Sequence, residues 1–278
     1  MKKDELLIKL QELEKKTNEE WLKNLEERKI KELEFHNRDR DEEFKQNISQ
    51  DTFNKIYGNR KFYKTVEVSI KYKDQWILDN VKDKVFLDYA CGNGGNARQA
   101  AKSKAALAIG IDISDISIKN AKKIAFEEGL AENTFFVQGD AENTGLPDNC
   151  IDLVICSGML HHLDLSYTFF ELRRILKPGG KVLAIEALDY NPLIKLYRMI
   201  TPDMRTEWEK AHILSYKDLK FASRFFLVRN IKHWHLFSIL GGYTPKLLPF
   251  YNFLDRIAVR IPLLKNMSWM FTFELVKE

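Results

Sequence analysis

The chain reads as an α/β protein in which seven strands form a mostly parallel sheet with helices on both faces. Three observations predict this. Between residues 84 and 187 short apolar runs alternate with amphipathic stretches at the spacing of βαβ units. A glycine-rich turn, CGNGG at 91–95, follows the first apolar run directly. The length, 278 residues with 45% hydrophobic, suffices for one large domain with additions or for two small ones.

Taken in order, residues 2–34 are more than half charged, with Leu6, Leu10, Leu13, Trp21 and Leu25 recurring at threes and fours. That spacing predicts one long helix or two shorter ones, solvated apart from a narrow apolar seam. Such a segment would cap the core, pair with another chain or fray. Residues 35–80 carry too many aromatics for a linker and are expected to pack on the main domain. The strands follow as VFLDYA (85–90), ALAIGID (106–112), TFFVQGD (134–140), IDLVICSG (151–158) and KVLAIEA (181–187). Helices are expected at 97–106, at 114–129 with Ser114 or Asp115 as cap and Gly129 as stop, and at 166–176, halted by Lys177-Pro178-Gly179-Gly180. An amphipathic insertion with prolines follows from 189 and a helix lies at 215–225. Residues 225–240 and 268–278 alternate as the last two strands. The expected division is a helical extension or cap over 1–80 and a main domain over 81–278, with its helical insertion at about 189–224.

Composition narrows the function. The net charge of +4 is spread without a dense Lys/Arg block, so no nucleic-acid partner is expected. Cys91, Cys150 and Cys156 show no C-x-x-C and no histidines at ligand spacing, so neither a metal site nor a disulfide framework is expected. The N-terminus lacks the apolar core of a signal peptide, and no apolar run reaches the ~18 residues needed to span a bilayer. A cytoplasmic protein is expected, at most associated with a membrane surface. Residues 247–265 mix leucines and aromatics with Lys246, Arg256, Arg260 and Lys265. They read either as a connector covering the sheet or as a peripheral contact with an anionic membrane.

The glycine loop admits three readings. A P-loop requires a Lys followed by Ser or Thr, and none follows here. A dinucleotide fingerprint is matched formally by Gly92, Gly94 and Ala97, with Asp112 further on. Asp88, four residues before the first glycine, separates the readings: its charge would repel a pyrophosphate and attract a ligand bearing an ammonium and a sulfonium. The segment resembles motif I of class I S-adenosylmethionine (SAM) dependent methyltransferases. AIGIDIS around Asp112, VQGDAENTGLPDNCIDLV around Asp140, SGMLHHL (157–163) and ELRRILKPGGKVLAIEA (171–187) agree in order and spacing, so that the resemblance covers roughly residues 82–187. It implies a Rossmann-like fold and SAM as cofactor. It also implies that Asp88 orients the loop and faces the methionyl amino group, and that backbone at Ala90, Gly92 and Gly94 lines the methionine and ribose. Asp112 would take the ribose hydroxyls, Ile113 pack on the adenine, Asp140 and Ala141 read the adenine edge, and backbone at Cys156 meet the methionyl end. Asp140 would alternatively only cap a turn. Ala90 stands where the family carries its first glycine.

Methyl transfer needs an aligned nucleophile, exclusion of water and, for an oxygen nucleophile, a base. His161 and His162, just beyond the fourth strand, are the candidate bases, with no preference between them; either would alternatively only shape the pocket. Candidates for holding substrate are His36, Tyr57 and Tyr63 before the core and Tyr197, Arg205, Glu209 and His212 in the insertion, or else these are members of solvated helices. His233 and His235 are expected to line a sheet face. The leading reading is a methyltransferase acting on an O, N or activated C of a small, partly apolar metabolite of natural-product, quinone, sugar or glycolipid type. The alternatives are an RNA-modifying methyltransferase, against which CSGML replaces the Asn/Asp-Pro-Pro-aromatic motif, and a SAM-binding scaffold without turnover. The charged N-terminal helix makes a homodimer an open expectation.

Overall fold

The computed structural model describes residues 3–23, 25–40 and 42–278. Among the described residues, seven helices come before the first strand: α1 (Lys3–Glu14), α2 (Asn18–Lys23), α3 (Glu27–Arg40), α4 (Glu42–Asn47), α5 (Gln50–Tyr57), α6 (Arg60–Tyr63) and α7 (Glu67–Asn80). The alternating region runs β1 (Val85–Tyr89), α8 (Gly95–Lys102), β2 (Leu107–Asp112), α9 (Asp115–Glu127), β3 (Thr134–Gln138), β4 (Ile151–Ser157), α10 (Leu165–Ile175) and β5 (Leu176–Ala187). Then come α11 (Pro192–Ile200), α12 (Glu207–Ala211), α13 (Tyr216–Ala222), β6 (Leu227–Trp234), α14 (Leu248–Ala258), α15 (Pro262–Lys265) and β7 (Met270–Val276).

The seven strands make one sheet in the order β3-β2-β1-β4-β5-β7-β6. The first five are parallel, and β7 runs antiparallel between β5 and β6. The order reverses between β1 and β4, so the loops beyond their carboxyl ends part there and leave the crevice where such sheets bind ligands.

The alternation of strand side chains decides which helices cover which face. Leu87, Tyr89, Ile109 and Ile111 pack on one face with Leu6, Leu10 and Leu13 of α1 and Phe169 and Leu172 of α10. Phe86, Ala108 and Ile155 point to the other, against Trp76 and Ile77 of α7 and alanines of α8 and α9. Buried on both sides, β1 and β2 need the continuous apolar runs that mark them in the sequence. The N-terminal seam is no loose contact, since Leu6, Leu10 and Leu13 are fully buried. Ser114 is the cap of α9, its hydroxyl accepting from Ser117 N at 3.0 Å, and Gly129 takes the left-handed conformation beyond its end.

Three boundaries differ from expectation. Helix α8 starts at Gly95 and ends at Lys102, because the glycine turn is tight enough to enter the helix at once. Strand β5 starts at Leu176, so Lys177-Pro178-Gly179-Gly180 forms a bulge within it: Ile151 pairs with Leu176, but Leu153 pairs with Lys181. The sixth strand does not run over 225–240. It stops at Trp234, where His235 turns left-handed (φ 65°) and its ring bonds Ser69 Oγ at 2.7 Å and Ser238 Oγ at 2.8 Å. The buried Asp255 carboxylate then accepts from Phe237 N and Ser238 N at 2.6 and 3.2 Å, drawing the chain into a 3-10 turn. His235 is thus a member of a buried polar knot. His233 stays on β6, bonded to Tyr216 Oη at 2.6 Å.

Candidate active site

The turn after β1 contains three left-handed residues at alternate positions, Ala90 (φ 54°), Gly92 (φ 51°) and Gly94 (φ 74°). A Cβ at Gly94 would run into the Phe136 ring, so that position needs glycine twice over. Ala90 carries its Cβ in a conformation that costs an L-residue about 1–2 kcal/mol. Asp88 is buried at the end of β1, and its carboxylate accepts from Asn96 Nδ2 at 3.0 Å and Ala97 N at 3.1 Å. Burial pushes its pKa up to about 6 against these bonds. Asp88 therefore fastens the start of α8 to the strand and does not reach the lining of the cleft.

Asp112, at the tip of β2, accepts from Gly92 N at 2.7 Å and Ser114 N at 2.9 Å, which ties the glycine loop to the next strand. Asp112, Ile113, Asp140, Ala141 and Ala90 line one cleft, joined there by His36 and His162. Gly92, Gly94 and Cys156 lie outside that lining, and Cys156 is fully buried in β4.

Helix α3 lies across this cleft. Lys29 Nζ meets Asp140 Oδ2 at 2.6 Å and Glu142 Oε2 at 2.9 Å, while Arg28 bonds Glu142 Oε1 at 2.6 Å and His162 O at 3.1 Å. Burial alone would pull the Lys29 pKa down, but the two carboxylates outweigh it and hold it above the usual lysine value. With α3 in place the cleft holds about 140 Å³. Pockets for small ligands commonly hold roughly 300 Å³ or more, so with α3 in place the cleft is tight for a nucleoside-sized ligand.

The two adjacent histidines separate across the sheet edge. His162 faces the cleft, its Nδ1 2.9 Å from Glu32 Oε2 of α3; burial, then the neighbouring His161, lowers its pKa. His161 turns the other way, with Nδ1 2.7 Å from Glu186 Oε2 near the end of β5. Glu186 is itself fully buried, and its other oxygen accepts from Met159 N at 2.9 Å and Leu160 N at 2.8 Å. Burial works against a charged His161, but Glu186 prevails and holds the pKa above the usual histidine value. The rings stand 4.2 Å apart. Two groupings, Glu32 with His36 and His162, and His161 with His162 and Glu209, bring three ligand-type atoms within 4.8 Å of one another.

His161 opens onto a second cavity of about 540 Å³, mainly apolar, walled by Phe62, Tyr63, Leu193, Ile194, Tyr197, Phe237, Leu240, Tyr243, Met267 and Trp269. Its polar members include Asn191, Arg198, Arg205 and Glu209, with Arg205 Nε 3.4 Å from Glu209 Oε1. Tyr63, Tyr197, Arg205 and Glu209 thus share one cavity with His161. His36 belongs to the first cleft, its ring 4.7 Å from that of His162. Tyr57 is buried elsewhere and donates to Arg38 O at 3.3 Å. His212 stacks on Trp208 at 3.7 Å and lines a groove between α3 and α12. Sequence reasoning missed Lys29, Glu32, Glu186, Arg198 and Trp269. Glu186 had a signal, an acidic residue inside an otherwise apolar strand, the same signal that singles out Asp88.

Residues 87–184 match the family model described as a methyltransferase domain. Among curated relatives, a sterol 24-C-methyltransferase of Aspergillus fumigatus is 39% identical over 95 residues, which are 34% of this chain and 25% of that protein. A probable chloroplastic tocopherol O-methyltransferase of Oryza sativa subsp. japonica is 31% identical over 105 residues, 37% of this chain and 29% of the relative. The chain thus spans only about a quarter to a third of such relatives. A solved geranyl diphosphate methyltransferase in complex with SAM shares the fold at a TM-score of 0.56 and 14% identity, over 74% of this chain and 84% of the other.

The cofactor of such a domain is SAM, and the donor set fits it. Two carboxylates at neighbouring strand tips face one cleft, beside a loop whose left-handed residues bring backbone close. Lys29 already sets a cationic nitrogen donor against Asp140.

Proposed function

We propose that this protein transfers the methyl group of SAM to an O, N or activated C of a small, partly apolar metabolite. One observation carries the reading: His161 and His162 stand side by side at the sheet edge, one turned into a mainly apolar cavity and the other into the cleft of Asp112 and Asp140. When bound, SAM supplies an electrophilic sulfonium methyl. Asp112 would hold the ribose, Asp140 and Ala141 the adenine edge, and Ile113 its face, once α3 has released Asp140.

The acceptor would lie in the mainly apolar cavity of Tyr63, Tyr197 and Trp269. Glu186 fixes His161 through Nδ1, leaving the other ring nitrogen to take the acceptor's proton as the acceptor's bond to the methyl carbon would form and that carbon's bond to sulfur would break, with S-adenosylhomocysteine as the leaving group. The proton ends on His161, and Glu186 stabilises the charge it brings. His162, lowered in pKa and tied to Glu32, suits a wall of the cofactor cleft better than a base.

The test incubates the protein with isotopically methyl-labelled SAM and a host metabolite extract, separated afterwards into lipid and aqueous fractions. A labelled small molecule that vanishes with His161→Ala supports the reading. Label appearing in RNA, or in nothing, overturns it.

A further inference from the structure

Helices usually turn their apolar stripe inward, and two helices here do the opposite. In α14, Phe250, Phe253 and Ile257 follow one another at threes and fours and are 56, 56 and 50% exposed, while Asp255 and Ala258 are buried. In α11, Leu193, Leu196 and Met199 do the same, with Ile194 inward. The two stripes are joined through the mouth of the acceptor cavity. Leu193 of α11, Leu240, Tyr243 and Leu264 of α15 line that cavity and are themselves exposed. Helix α14 packs on the 238–242 turn beside them.

The charge around this face has one sign. Residues 243–267 hold four basic side chains, Lys246, Arg256, Arg260 and Lys265, against a single acid, Asp255. Asp255 is buried and occupied by backbone N–H groups. Lys246, Arg256 and Arg260 are exposed, and none has an ion pair among the described residues. No helix of the described residues is long and apolar enough to cross a membrane. An outward apolar stripe flanked by unpaired cations is what a helix lying in a bilayer interface presents.

We infer that this face seats on an anionic lipid surface, so that the acceptor cavity opens into the bilayer and takes its substrate from there. The inference rests on the methyltransferase reading for what fills the cavity, and it narrows the acceptor to a membrane-resident amphiphile. Such a molecule would present its polar end to His161 and leave its apolar end toward Leu193, Leu240 and Leu264. Arg198 and Arg205 also line that cavity, the first paired with Asp189 and the second with Glu209.

Docking is measured without methyl transfer, by co-sedimenting the full chain with vesicles of phosphatidylcholine alone and of phosphatidylcholine with phosphatidylglycerol. Binding is expected only to the anionic vesicles. It should weaken on the order of tenfold with Arg256→Glu/Arg260→Glu and fall away with Phe250→Asp/Phe253→Asp. The substituted side chains are exposed, and an unchanged circular dichroism spectrum would show each variant folded. If folded wild-type protein ignores both vesicles, the inference falls. It falls equally if the chain forms a dimer that Phe250→Asp/Phe253→Asp dissociates, since a second copy then covers the face. Vesicle binding by a protein that transfers no methyl group would instead overturn the proposed function and leave the docking face standing.

Discussion

The two cavities that meet at His161 and His162 are built on opposite principles. The cleft proposed for the cofactor is small and charged, closed by Lys29 and Arg28 on Asp140 and Glu142. The cavity proposed for the acceptor is almost four times as large and mainly apolar, with exposed residues at its mouth. A cleft that must recognise one ligand every time can rest on a few fixed carboxylates at strand tips, oriented by backbone N–H groups. A cavity that suits one acceptor among many is assembled from loops and insertions around that frame. On this reading the histidine pair is the seam between a constant half and a variable half.

The sharpest break in the comparison is His161→Ala. Removing the proposed base should lower kcat by ~10²–10⁴-fold while the SAM affinity, measured by calorimetry, stays nearly unchanged. An equal loss of both would mean that the two halves are not separable. Asp112→Ala acts on the other side. It should weaken SAM binding by roughly 100-fold or more, with the circular dichroism spectrum intact; unchanged affinity would remove the cofactor assignment from this cleft.

The third test sharpens the seam through pH. His161 has its pKa held above the 6.5 usual for histidine. A protonated ring accepts no proton, so kcat/KM should fall as pH drops through that raised value. Glu186→Gln removes the influence that raises it and leaves burial, so the acidic limb should move to lower pH. A limb that stays in place would show that another group titrates.

Smaller effects concern the closure. Lys29→Ala unties α3 from Asp140, and if the closed state competes with SAM the apparent Kd should tighten by about 3- to 10-fold. Weaker binding would mean that α3 grips the bound cofactor. Ala90→Gly relieves a left-handed alanine but loosens the unfolded chain, so its stability by thermal unfolding should change by less than about 1 kcal/mol.

The strands and the residues at their tips were legible in the sequence, because each is local, although Asp88, Gly92, Gly94 and Cys156 lie outside the lining of the cleft. A fully buried strand must be an apolar run, and Asp88 and Asp112 interrupt such runs at their ends. Ile113 and Asp140 follow from the same rhythm. The variable half was legible only in part: Tyr63, Tyr197 and Arg205 stand out as candidates, but they and Trp269 come from segments up to about 200 residues apart, and nothing in their spacing separates them from Tyr57 or His212, which lie outside the cavity. Lys29 was invisible for another reason. On the charged α3 it resembles any solvated lysine, and only the tertiary fold sets it against Asp140. The end of β6 escaped because the alternation from 225 to 240 is real, yet Asp255, far along the chain, captures the backbone at Phe237 and Ser238.

The placement of α3 has a consequence for the rhythm of turnover. The helix lies over one cavity and leaves the other uncovered, so on the proposed reading the methylated product departs without waiting for it, whereas the spent cofactor cannot. A first methyl per enzyme molecule would then appear rapidly, and later ones at the pace of a helix lifting and reclosing. Rapid mixing would record that as a burst whose height counts enzyme molecules.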